Sequence, residues 1–134
     1  MKSPYAKLLL GFCAFSVTVA LAQPRRGPMH YDPAQEITLS GTIEDVQQVQ
    51  HNRMTGLHIL VKTEKETVDV HLGPAFFIKD QGFTFAKGDP VEIVGAKAKF
   101  GDTDIVIAKE VTKEGKKLTL RDASGRPKWA GRRT

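Results

Sequence analysis

Two of the four histidines, His58 and His71, flank a stretch of alternating residues that reads as a β-hairpin. With Glu64 and Lys65 as its turn, Ile59 faces Val70, Val61 faces Val68, and His58 lies directly across from His71 with Asp69 on the same face. Two imidazoles opposed across strands, with a diagonal carboxylate, can share a zinc or copper ion, so His58 and His71 are the candidate metal ligands. Three donors do not close a four-ligand site, and opposed polar pairs are also ordinary on solvated sheet faces. His51 falls in a turn and His30 in a proline-rich stretch, away from this pair. Catalysis has less to build on. The chain has no GxSxG, no HExxH and no phosphate-cradling glycine loop, and Asp102 and Asp104 sit at a turn where aspartate is favoured for backbone reasons. No enzyme activity and no cofactor is therefore expected.

The elements that must hold these residues are mostly strands. Glu36 to Gln50 alternates Ile37, Leu39, Gly41 and Ile43 against polar residues until Val46 breaks the phase, the pattern of a long strand that bends at a glycine. The hairpin follows, with Leu57, Ile59, Val61, Val68, Val70 and Leu72 as one apolar face and His58, Leu60, Lys62, Thr67, Asp69 and His71 as the other. Gly73 and Pro74 stop it and open a short helix that Gly82 closes; with Phe76, Phe77, Phe83 and Phe85 this connector presses onto a core. Val91 to Val94 restarts a strand, Gly95 marks a second phase slip, and Ala96, Ala98 and Phe100 continue it. Asp104 to Val111 returns with Ile105, Ile107 and Val111 expected inside, and Leu118 and Leu120 suggest a short sixth strand. The expectation is an all-β domain with one short helix between strands three and four, a five-stranded barrel of the oligonucleotide/oligosaccharide-binding (OB) type over residues 36–121.

Several of these stretches carry a resemblance. Ser40-Gly41-Thr42-Ile43, the helical insert and Lys87-Gly88-Asp89-Pro90-Val91-Glu92-Ile93-Val94-Gly95 resemble the periplasmic bacterial OB-fold family. Ile107 to Val111, Leu118-Thr119-Leu120-Arg121-Asp122, Gly125, Pro127 and Trp129 are similar to magnetosome-associated exported proteins of the MamS type. The resemblance implies a small exported binding barrel without catalytic residues. OB barrels bind through strands two and three and the adjoining loops, which here selects Arg53, Met54, His58, Lys62, Asp69, His71 and Phe100 as ligand-binding candidates. A small ligand or an exported partner protein is the first expectation. Nucleic acid is the second, because single-strand binders need aromatic platforms and a basic groove, and only Phe100 supplies an aromatic here. A metal held by the hairpin histidines is the third.

The ends set compartment and charge. Lys2 and Lys7 precede an uncharged apolar run from Leu8 to Ala22 that closes on small residues, the form of a secretory signal peptide over residues 1–22. The run is shorter than the roughly twenty residues that cross a bilayer. After cleavage the chain would lose Cys13, its single cysteine, and with it any disulfide or thiolate chemistry. A periplasmic or secreted protein without a membrane span is expected. Residues 23–35 read as a proline-rich linker. The formal charge of +5 is uneven: from Lys113 onward there are eight basic and two acidic residues, whereas 23–112 hold ten basic and thirteen acidic. Residues 122–134 form a basic tail whose Trp129 should fold back over a barrel end.

Overall fold

The structure, a computed structural model, describes residues 30–131. The expected signal peptide, residues 23–29 of the proline-rich stretch and the last three residues of the tail lie outside the described residues. A 3-10 turn at Pro33–Gln35, N-capped by the Asp32 carboxylate, leads into β1 (Glu36–His51), β2 (Met54–Lys62), β3 (Thr67–Pro74), α1 (Ala75–Asp80), β4 (Pro90–Phe100), β5 (Thr103–Lys113) and β6 (Lys116–Thr119). The hydrogen-bonded order is β3-β2-β1-β4-β5-β6, and a parallel pairing of β3 with β5 closes the first five strands into a ring. With a helix between the third and fourth strands, this is the OB architecture.

β1 joins the two halves of the ring because it serves two neighbours. Its first half pairs with β4, Glu36 opposite Ala96 through Thr42 opposite Pro90, and its second half pairs with β2, Thr42 opposite Lys62 through His51 opposite Met54. The strand must bend where the partners change. Gly41 stands there, and a Cβ on it would lie 2.3 Å from the Lys62 carbonyl oxygen. Gly95 plays the same part in β4, where a Cβ would meet the Ile107 carbonyl at 2.4 Å and the register with β5 shifts.

The hairpin register agrees with the sequence expectation over five pairs, from His58 opposite His71 to Lys62 opposite Thr67 and including Ile59 with Val70 and Val61 with Val68. Thr63 N–H donates to the Glu66 carbonyl at 2.8 Å and closes the turn around Glu64 and Lys65. Beyond His58 a bulge moves Leu57 from Leu72 to Gly73.

Ile43, Ile59, Val61, Val70, Leu72, Ile93, Val106, Ala108, Val111, Leu118 and Leu120 fill the barrel, with Phe77 and Ile78 of α1 pressed on one end. The expectation for β5 is corrected here. Val94 faces Glu110 and Gly95 faces Ala108, so Lys109 is an extra residue that reverses the side-chain alternation. Val106 and Ala108 therefore point inward with Val111, whereas Ile105 and Ile107 join Tyr31, Ala96 and Ala98 in a second apolar cluster outside the ring. The stretch read as linker also contributes structure: Tyr31 is 4% exposed and covers that outer cluster.

The C-terminal segment folds back. Lys128 N–H donates to the Leu120 carbonyl at 2.9 Å, Arg121 bridges to Pro127, and Trp129 packs on Phe77 with ring centres 5.6 Å apart. A Cβ at Gly73, whose φ is +136°, would lie 2.6 Å from the indole, so only glycine lets the indole lie against the end of β3.

Candidate functional site on the outer face of the hairpin

Strand alternation decides which residues meet outside the ring. One row reads Gln47, His58, His71, Ile107 and Ala96; the next reads Asp45, Leu60, Asp69, Ile105 and Ala98. Asp69 is thus flanked across the sheet by Leu60 and Ile105, two side chains that cannot donate to it. Its polar neighbours are in the adjacent row. His71 Nε2 is 3.5 Å from Asp69 Oδ1, and His58 Nδ1 is 4.0 Å from the same oxygen. The two imidazoles stack with centres 3.7 Å apart and planes 19° from parallel.

The expectation of a solvated histidine face needs correction. His71 is 6% exposed, the His58 side chain 14% and the Asp69 side chain 28%. Burial arises because β3 is flanked by β5 as well as by β2, and because the apolar outer cluster of Ile105, Ile107 and Tyr31 continues from the His71 row. Asp69 Oδ1 is buried and accepts no hydrogen bond among the described residues. Such an oxygen costs about 1–3 kcal/mol. One donor atom from each of His58, Asp69 and His71 lies within 4.8 Å of the others, the spacing of a cation site.

Phe100 stands beside the triad, its ring 5.9 Å from that of His71 and the residue 50% exposed. It ends β4 just before the Gly101–Asp102 turn, so the loop joining β4 and β5 does supply the aromatic the sequence places there. Lys62 is exposed two register pairs beyond Leu60, at the far end of β2 from the histidines. Arg53 and Met54 are exposed at the β1–β2 turn, at the opposite end of β2. The structure therefore gathers His58, Asp69, His71 and Phe100 and leaves Arg53, Met54 and Lys62 at the margins of the face. A groove of about 830 Å³ opens beside the β2–β3 turn, lined by Ile37, Leu39, Lys65, Val68, Lys97 and Ala98 among others, but the triad is not part of its wall.

A second polar network borders the outer cluster, and the sequence carried little sign of it. The Tyr31 hydroxyl donates to Glu36 Oε2 at 2.6 Å, and Lys109 Nζ donates to Glu36 Oε1 at 2.9 Å. These two donors hold the Glu36 carboxyl below its usual range. Burial, then the Glu36 carboxylate, pushes the Tyr31 phenol well above its usual value. The Arg121 guanidinium lies 5.7 Å from the Tyr31 ring and 5.2 Å from the Trp129 ring, and its Nη1 donates to the Gly125 carbonyl at 2.9 Å. Burial lowers the pKa of Arg121. An aromatic in a stretch otherwise rich in proline and arginine was the one available signal.

Fold and face together define a small OB-type barrel of the binding class. The MamS/MamX magnetosome protein family matches residues 35–118, and the chain belongs to that family. No curated protein matches. Among solved structures, the barrel is similar to the mitochondrial single-stranded DNA-binding protein Rim1 of S. cerevisiae. One crystal structure is 14% identical with a TM-score of 0.47, covering 68% of this chain and 98% of that one. A second crystal form is also 14% identical with a TM-score of 0.43, covering 63% of this chain and 94% of that one. No helix among the described residues is long and apolar enough to cross a membrane.

Proposed function

We propose that this chain is a non-enzymatic binding module, exported to the periplasm or secreted, that takes a small ligand on the outer face of β2 and β3. The observation that carries the reading is the Asp69 carboxylate, set beside two largely buried imidazoles on the outer sheet face although the barrel core is complete without them. Polar groups with no part in the core are retained at a cost when they have a ligand to meet. Phe100 offers an exposed flat surface at the rim. A nucleic-acid role has less support, since a carboxylate at the centre of the face and an excess of acid over base in residues 23–112 both oppose phosphate.

Native mass spectrometry of the untagged chain, purified without chelator from the cells that make it, tests the reading. A retained mass is expected that disappears in His58→Ala and Asp69→Asn and persists in Lys116→Ala, a change at an exposed position of β6. No retained mass, or one indifferent to the face variants, would overturn it.

A further inference from the structure

We infer that the ligand of this face is a divalent first-row transition-metal cation held by His58 Nδ1, Asp69 Oδ1 and His71 Nε2; the inference rests on the binding-face reading and names its ligand. Ligand atoms about 2.0–2.1 Å from a tetrahedral ion lie about 3.3 Å from each other. Here two of the edges are 3.5 and 4.0 Å and one ligand atom from each residue lies within 4.8 Å of the others, so side-chain rotation can bring the donors to bonding distance. The buried Asp69 Oδ1, which accepts no hydrogen bond among the described residues, gains in a cation the partner its strand neighbours Leu60 and Ile105 cannot provide.

Donor chemistry narrows the ion. Two imidazoles and one carboxylate favour zinc, copper and their first-row neighbours, whereas calcium and magnesium call for oxygen ligands alone. Ring nitrogen lone pairs lie in the ring plane, so two imidazoles stacked at 3.7 Å cannot both point at one ion. One ring must turn out of the stack as the metal enters. Three protein donors also leave at least one coordination position open, the arrangement of an exchangeable ion rather than of a closed structural site. The barrel folds around a complete apolar core, so the metal adds to stability only in proportion to its occupancy.

The test uses untagged chain stripped with chelator and dialysed, then titrated with Zn(II), Co(II) and Cu(II), with Ca(II) and Mg(II) as controls. One equivalent of each transition ion is expected to bind, the Cu(II) adduct showing nitrogen hyperfine coupling from two imidazoles. His58→Ala and Asp69→Asn should each weaken binding by about 100-fold or more, beyond the 10–100-fold typical of groups that only orient a ligand. His30→Ala and His51→Ala should change nothing. His58 is the less buried imidazole, so its variant keeps the test intact if His71→Ala does not fold. Absence of stoichiometric binding, equal affinity in the His58 and Asp69 variants, or a Cu(II) spectrum without nitrogen coupling would each overturn the inference. If binding is absent while a retained mass still depends on the face, the metal falls and the binding-face reading stands. If neither is found, both fall.

Discussion

Asp69 concentrates the conflict between folding and binding in one residue. Its carboxylate lies between Leu60 and Ile105 on neighbouring strands, with one oxygen buried and accepting no hydrogen bond among the described residues. Valine at that position would suit the strand and its apolar neighbours better. Asp69→Val should therefore raise stability by about 1–2 kcal/mol in urea titrations near pH 8, while abolishing the binding face. A fall in stability would show that the carboxylate is well satisfied in the free protein. The pairing of His58 with His71 was legible in the sequence because a two-residue tip fixes hairpin register. Their burial was not, because it depends on β5, a strand more than thirty residues away in the chain, lying against β3.

Among the elements, β5 does the most to shape the site. It pairs with β4 along one edge; on the other it pairs with β3 over Ile105–Ile107 and with β6 over Glu110–Lys113. Because of the bulge at Lys109, it sends apolar side chains to both faces in turn. A bulge adds one residue of no special type, so Ile105, Ile107 and Val111 looked like a single phase although only Val111 faces the barrel interior. The glycine bends at Gly41 and Gly95 were readable, because a Cβ at either would collide with a facing carbonyl. The segment after β6 is an element in its own right. Trp129 packs on Phe77 of α1 and over Gly73, and it lies beyond the part of the chain matched to the family. Trp129→Ala should cost about 2–4 kcal/mol, read by chemical denaturation, and should speed amide hydrogen exchange in α1. A loss below about 0.5 kcal/mol would mean that the indole caps nothing of consequence.

For the whole molecule, the charged contacts set a window of pH. Donors hold the carboxyls of Glu36, Asp89 and Asp122 below their usual values: chiefly the Tyr31 hydroxyl and Lys109 for Glu36, Lys113 and the Ala86 N–H for Asp89, and the Ser124 hydroxyl and Arg126 N–H for Asp122. The folded state then binds fewer protons than the unfolded chain in the acid range, so stability rises with pH there. That contribution is fully present above the ordinary carboxylate value of about 4 and is lost as pH falls through the lowered values. Tyr31 acts with the opposite sign. Its phenol is raised, so its contribution holds below the ordinary value of about 10 and is lost above it. Thermal midpoints against pH should therefore form a plateau with two falling limbs, the acid limb shallower in Glu36→Gln and the alkaline limb shallower in Tyr31→Phe. Unchanged limbs in both variants would contradict this assignment.

The contact between Tyr31 and Gly125 has a further consequence. A Cβ on Gly125 would lie 2.6 Å from the tyrosine ring, so the chain enters the folded unit and turns back over it at one spot. Entry and exit side by side make the barrel topologically a closed loop. A short bridge between them, with a cut at the exposed Gly101–Asp102 turn, yields a circular permutant, and the same closure lets the whole unit be spliced into a surface loop of another polypeptide without stretching its host.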